Sequence, residues 1–231
     1  MNQFLTGVAA GLLVLAGAAS AKAATTFFGP SAYVSAADAP VSASSFANYY
    51  LEDVEDNLIN TLGLTVTGPS LCIAGFNCFV NTGLTDSVGN GGNGNLGRSS
   101  WSAGSATVSF GAVALGSLPT FAGLVWTDGA GSIRFEAFDA NGVSLGVLVG
   151  NHADGSHAGT LADDRFYGVS HSGGISRLLI SNSAGGTEID HIQYGVGSRG
   201  GVVPEPATWA MMLVGFGFAG ALIRRRRLAA A

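Results

Sequence analysis

Short segments of alternating apolar and polar residues dominate the second half of the chain. Residues 106–110 and 133–137 alternate as strands with one buried face do, while residues 120–126 are continuously apolar, as in a strand buried on both faces. Asn141-Gly142 is a strong hairpin signal. Further strands are predicted at 143–149, 166–169, 174–181 and 188–194, with turns at Asp128-Gly129 and Gly185-Gly186. No long amphipathic helix is indicated, so the pattern predicts an all-β fold, an antiparallel β-sandwich or jelly roll.

Both ends of the chain depart from this pattern. Residues 1–23 hold an apolar core from Phe4 to Ala19 and the segment Ala21-Lys22-Ala23, which together are typical of a secretory signal peptide. Residues 207–223 carry no charge and would form a helix about 26 Å long, enough for a single transmembrane span. The predicted organisation is a signal peptide at 1–23, a β-sandwich ectodomain at 24–195, a glycine-rich linker at 196–203 and a C-terminal segment at 204–227.

The C-terminal segment has three parts. It begins with Pro204-Glu205-Pro206, continues with Trp209-Ala210 and the apolar span, and ends with Arg224, Arg225, Arg226 and Arg227. The arginines are expected to stay on the cytoplasmic side, which places the preceding domain outside. This arrangement resembles the PEP-CTERM sorting signal of Gram-negative bacteria in its PEPxxWA form. The resemblance implies recognition by an exosortase, transient anchoring in the inner membrane, removal of the tail and delivery to the cell surface or extracellular space; a permanent membrane anchor is the alternative.

The charge of the exported region limits its partners. Residues 25–203 contain five arginines, no lysine and fourteen acidic residues, a net charge of about −9 with histidines neutral. Nucleic-acid binding requires cationic side chains facing phosphates, so this class of function is disfavoured. The acidic groups favour cations instead, calcium above all, which is the one cofactor the sequence suggests.

Cys72 and Cys78 are the two cysteines of the chain. Outside the cytoplasm such a pair is expected to oxidise, so a disulfide between them is predicted. It would close a short loop and act as a local staple rather than as the basis of the fold.

The last predicted strand carries an acidic residue of special interest. Period-2 alternation places Asp190 on the same face as Ile192, and a carboxylate buried there needs a partner. A calcium ion is one interpretation, because calcium accepts several oxygen ligands from loops and strands. The candidate calcium ligands are Asp190, Asp53 and Glu52. The alternative is that Asp190 pairs with Arg165 or Arg177, or forms hydrogen bonds only.

Three segments of the domain resemble exported PEP-CTERM proteins that have no defined activity. They are Trp126-Thr127-Asp128-Gly129, Asp164-Arg165-Phe166-Tyr167-Gly168 and Asp190-His191-Ile192-Gln193-Tyr194-Gly195. The last strand is also similar to that of carbohydrate-binding jelly rolls, and this resemblance implies structural calcium near Asp190. Trp101 or Tyr167 could stack on a sugar ring if exposed, although aromatic residues of a sandwich more often belong to the core.

No pattern of catalytic residues stands out. His152 and His157 lack the spacing of a helical zinc site, and the chain has no G-x-S-x-G nucleophile motif. We therefore expect a non-catalytic protein of the cell surface, exopolysaccharide matrix or biofilm, calcium-stabilised and either glycan-binding or structural. Its expected partners are an exosortase-type processing enzyme and exopolysaccharide. The alternatives are a secreted polysaccharide-acting hydrolase on the same scaffold and a permanently anchored structural protein.

Overall fold

The computed structural model describes residues 23–74, 76–78, 87–88, 97–155, 159–198 and 212–217. Almost all regular structure in this part of the chain is strand. The strands are β1 (Thr25–Ala32), β2 (Phe46–Glu52), β3 (Leu64–Thr67), β4 (Cys72–Ala74), β5 (Ser99–Ser102), β6 (Ala106–Phe110), β7 (Phe121–Asp139), β8 (Ser144–Gly150), β9 (Arg165–His171) and β10 (Ile175–Ser198). Two 3₁₀ turns (Ala36–Asp38, Ala43–Ser45) and a one-turn helix, α1 (Ala112–Leu115), lie between them, and residues 212–217 are helical.

Two long strands organise the fold. β7 and β10 pair antiparallel almost from end to end, from Ile175 opposite Asp139 to Gly195 opposite Phe121. Both strands contain glycines with positive φ near the middle, at Gly129 and Gly131 of β7 and at Gly185 of β10. Such backbone angles let a strand bend sharply. The predicted turns at these glycines are therefore wrong in detail, because each lies inside one continuous, bent strand.

The bends divide the sheet into two layers. The first layer contains β1, β9, the start of β7 and the end of β10, in that order. Both β2 and β5 pair with the end of β10, and β4 pairs with β5. The second layer combines β8, the end of β7, the start of β10, β6 and β3. Rings meet across the layers: Phe135 lies 5.7 Å from Tyr167, and Phe110 lies 5.0 Å from Tyr194. The predicted all-β, sandwich-like architecture is confirmed.

The inner face of the first layer packs on the second layer to form the main core. Its fully buried members include Leu124, Trp126, Ile133, Phe135, Tyr167, Leu178, Ile180, Ile189, Ile192 and Tyr194. The first layer also has a covered outer face. There a smaller group, which we call the outer cluster, contains Tyr33, Phe46, Val88, Phe121, Val125 and Phe166. Residues 121–126 are consequently buried on both sides, as the apolar run at 120–126 predicted, and the burial extends to Thr127 and Asp128.

The disulfide and the start of the linker fall within the described part of the chain, whereas most of the signal peptide and the sorting segment do not. The Cys72–Cys78 disulfide is present. β10 continues to Ser198, three residues into the predicted linker. Residues 1–22, most of the predicted signal peptide, lie outside the described residues, as do the sorting-motif positions Pro204, Glu205, Pro206, Trp209 and Ala210 and the arginines Arg224, Arg225, Arg226 and Arg227. Within the described ranges, no helix combines the length and apolar character that crossing a membrane requires.

Candidate functional site

Acidic side chains cross the outer face of the first layer on three neighbouring strands. Asp190 of β10 pairs with Val125 of β7, which in turn pairs with Phe166 of β9. Both partners belong to the outer cluster, so alternation places Asp190 and Asp164 on that outer face. Glu188 precedes Asp190 by two residues and lies on the same face. We call Asp164, Thr127, Asp128, Glu188 and Asp190 the acidic strip.

A β-bulge brings two consecutive β7 residues into this strip. Asp128 pairs with Glu188, but Trp126 pairs with Ile189, which leaves Thr127 as an extra residue in β7. Bulges of this kind re-aim side chains and are frequent next to functional sites. Thr127 is fully buried, and its hydroxyl is without a hydrogen-bond partner among the described residues.

Asp190 is fully buried but has partners of its own. Its Oδ2 accepts a hydrogen bond from the Val88 amide at 2.9 Å, and its Oδ1 accepts one from the His191 amide at 2.6 Å. His191 Nδ1 lies 3.2 Å from Asp190 Oδ2. Burial lowers the pKa of His191, but the carboxylates of Asp190, Asp53 and Glu55 outweigh burial and raise it. Burial raises the pKa of Asp190 despite these contacts.

Asp164 is the unusual member of the strip. It is fully buried, and in the described part of the chain neither of its carboxylate oxygens has a hydrogen-bond partner. Burial, with the negative fields of Asp163 and Asp190, raises its pKa to about 8. Arg165 is adjacent, but its guanidinium donates to the main-chain carbonyls of Ala162 and Asp164 rather than to a carboxylate.

The strip opens to solvent beside Trp101 of β5. Trp101 pairs with Glu188 and is only partly buried, and a cleft of about 160 Å³ lies between its indole, Asp128 and Glu188. Ser99 donates a hydrogen bond to Glu188 Oε1. The floor of the cleft depends on Gly186, because a Cβ there would lie 2.7 Å from Trp101 Nε1 and 2.8 Å from a main-chain oxygen. An aromatic side chain and two carboxylates thus share one small opening.

The predicted calcium ligands do not form one cluster of carboxylates. Glu52 instead closes the turn after β2: its Oε1 accepts from the Val54 amide, and its Oε2 accepts from the amides of Asn60 and Thr61 and from the Thr61 hydroxyl. Asp53 Oδ1 accepts from the Glu55 amide at 3.2 Å. In the described ranges, no three His, Cys, Asp or Glu side chains are grouped as metal ligands. The calcium assignment to this set stays a prediction.

The alternative partners of Asp190 are also engaged elsewhere. Arg165 contacts main-chain carbonyls, and the Arg177 guanidinium lies 3.8 Å above the centre of the Phe138 ring. Of the aromatic candidates, Tyr167 is fully buried in the main core and only Trp101 reaches a cleft.

The sequence contained a signal for this site that residue-by-residue reasoning missed. The three segments that begin at Trp126, Asp164 and Asp190 each contribute a polar residue to the acidic strip, on three adjacent strands. These segments are separated by more than 20 residues along the chain, so only the strand pairing brings them together.

Comparisons with known proteins identify the C-terminal segment. Residues 202–227 match the PEP-CTERM protein-sorting motif. No curated protein matches the chain. Among solved structures, the enzymatically active domain of bacteriophage CBA120 tailspike protein 4 aligns with a TM-score of 0.29 and 15% identity, over 67% of this chain and 21% of that chain. The motif implies export, processing by an exosortase-type enzyme, and sorting to the cell surface or extracellular space.

Proposed function

We propose that this chain, which carries a PEP-CTERM sorting motif at residues 202–227, is a non-catalytic surface or matrix protein that binds glycan in the cleft beside Trp101. The observation that supports this proposal is the combination of one partly exposed indole with the carboxylates of Asp128 and Glu188. Sugar rings present C–H faces that pack on aromatic rings and hydroxyl groups that donate to carboxylates. Exopolysaccharide is the polymer that a sorted surface protein would meet.

The charge of the cleft narrows the class of glycan. Two carboxylates line it, and the exported region carries a net charge of about −9. Polysaccharides rich in uronic acids would be repelled. We therefore expect neutral or amino-sugar polymers to bind and acidic polymers to bind weakly.

The full-length protein in detergent, presented with neutral, amino-sugar and uronic polysaccharides, tests the proposal. Trp101→Ala should weaken binding at least about tenfold, because a central aromatic anchor carries much of the affinity of a small site. Trp101→Phe should restore most of it. Phe76→Ala removes another exposed aromatic ring, in the disulfide loop, and should leave binding unchanged. Equal binding by the wild type and Trp101→Ala would contradict the proposal.

A hydrolase on the same scaffold is the second candidate. Asp128 and Glu188 lie directly opposite each other on paired strands, and glycosidases use two carboxylates that flank the scissile bond. Against the hydrolase, both carboxylates already accept hydrogen bonds within the protein: Glu188 from the Ser99 hydroxyl and Asp128 from the Gly129 amide. New reducing ends released from a bound polysaccharide, and lost in Glu188→Gln, would favour the hydrolase.

A further inference from the structure

The buried end of the acidic strip lies away from the cleft beside Trp101, and what it binds is independent of glycan binding there. Asp164 is a fully buried carboxyl group with two oxygens that have no hydrogen-bond partner among the described residues. An unsatisfied buried polar group destabilises the folded state by about 1–3 kcal/mol, and an unpaired charge by more. A folded protein that retains such a group requires some partner for it.

A proton alone does not supply that partner. A protonated carboxyl would be neutral, but its O–H would still need an acceptor and its C=O a donor, and among the described residues neither oxygen has a partner within hydrogen-bond distance. The nearby positive groups do not serve either. Arg165 donates to main-chain carbonyls, and His191 lies against Asp190.

Two further side chains with oxygen atoms lie on the next two strands of the sheet, Thr127 on β7 and Asp190 on β10. Trp126 of β7 pairs with Arg165, so Thr127, which follows Trp126, is opposite Asp164, which precedes Arg165. The Thr127 hydroxyl is buried and has no hydrogen-bond partner among the described residues. On the other side of β7, Asp190 Oδ1 accepts one main-chain hydrogen bond and keeps a second lone pair, whereas Oδ2 is contacted by both the Val88 amide and His191 Nδ1.

We propose that Asp164, Thr127 and Asp190 form a structural divalent-cation site, occupied by calcium in the exported protein. Two carboxylates balance the charge of one divalent ion, and carboxylate and hydroxyl oxygens are ligands of the kind that calcium accepts. Of the three calcium ligands predicted from the sequence, only Asp190 belongs to the proposed site. Asp164 and Thr127 take the place of Glu52 and Asp53.

Thermal unfolding of the full-length protein in detergent at pH 7.5, in calcium chloride and in EDTA, tests this site. We expect a hundredfold excess of calcium over its Kd to raise the Tm of the wild type by about 5–10 °C. Equilibrium dialysis against radioactive calcium measures binding directly, without any variant. Asp164→Asn should abolish the calcium-dependent shift, because the neutral amide cannot supply the charge of a carboxylate ligand.

Two further variants complete the test. Thr127→Val keeps the shape of the side chain but removes its oxygen, and should weaken calcium binding even if Asp164→Asn fails to fold. Asp53→Asn is the matched control, since it makes the same chemical change outside the site and should bind calcium as the wild type does. A wild type that binds no calcium would overturn the proposal. So would loss of binding in Asp53→Asn with retention in both Asp164→Asn and Thr127→Val.

Discussion

The two faces of the first layer are built from the same strands but differ in chemistry. On the inner face, Trp126 and Tyr167 are buried among aliphatic and aromatic neighbours of the main core. On the outer face, the positions next to them in sequence are Thr127 and Phe166, and buried carboxylates lie among the rings of the outer cluster. The inner face is complete as it stands, because apolar groups need only contact. The outer face holds buried polar groups, Asp164 and Thr127 among them, that have no hydrogen-bond partner in the described part of the chain.

The largest effect is expected from the inner face. Phe135 is fully buried and its ring stacks on Tyr167 across the two layers. Phe135→Ala would leave a cavity at this junction and should lower the free energy of unfolding by about 3–5 kcal/mol. Urea denaturation measures it, with Val147→Ala as the control, because Val147 is 39% exposed on the neighbouring strand β8 and should change stability by less than about 0.5 kcal/mol. Similar losses of unfolding free energy in both variants would show that packing of Phe135 between the layers stabilises the fold no more than an exposed side chain does.

An intermediate effect on stability is expected at Glu52, a buried carboxylate whose two oxygens both accept hydrogen bonds. Glu52 is 3% exposed and accepts hydrogen bonds from Val54, Asn60 and Thr61. Glu52→Gln replaces one accepting oxygen by an NH₂ group that faces donors, so we expect a loss of about 2 kcal/mol in the free energy of unfolding.

The calcium dependence of this loss distinguishes a turn-closing role from a metal-binding role. If Glu52 only closes the turn, the loss measured by urea denaturation should be the same in calcium and in EDTA. A loss of stability in Glu52→Gln that is measured only in calcium would identify Glu52 as a metal ligand. Asp56→Asn, an exposed change in the same turn, serves as the control.

Sequence patterns predicted the inner face well. Ile133, Phe135 and Ala137 are fully buried, whereas Arg134 and Glu136 between them form a salt bridge of 2.5 Å, as strict alternation indicated. Alternation works there because one face of each strand meets the core and the other meets water. It failed at the glycines of β7 and β10, because a turn and a bend within a strand both use glycine at positive φ.

The candidate site could be predicted only in part. Asp190 was identified because its own strand is apolar around it, but its predicted face was wrong: the irregularity in β10 at His191 puts Ile192 in the main core and Asp190 on the outer face. Asp164 was not, because it is covered only in the folded sheet, where the Tyr33 amide donates a hydrogen bond to the Asp164 carbonyl and the Tyr33 ring stacks on Phe166. That cover comes from a segment about 130 residues away in sequence. Glu52 shows the converse: a carboxylate that closes a turn and one that binds a metal have the same local sequence, and only hydrogen bonds distinguish them.

The smallest predicted effect tests whether the inner face also responds to pH. His152 borders the main core: its Nε2 lies 2.7 Å from the Tyr167 hydroxyl, and its ring meets Trp126 edge-on at 4.8 Å. Burial, and then the positive field of Arg165, lower its pKa from 6.5 to about 4. Below pH 6.5 the unfolded chain therefore binds a proton that the folded protein does not, so stability falls as the pH drops towards 4.

A difference measurement isolates this contribution from the other titrating groups. Because the ring is half-exposed and screened, we expect its effect to be on the order of 1 kcal/mol between pH 7 and pH 4. His152→Gln retains a hydrogen-bonding side chain without the titration. The free energy of unfolding of the wild type, measured in urea, should therefore fall more than that of His152→Gln over this interval. Parallel pH profiles would mean that the imidazole titrates normally and that the inner face is open to water at its edge.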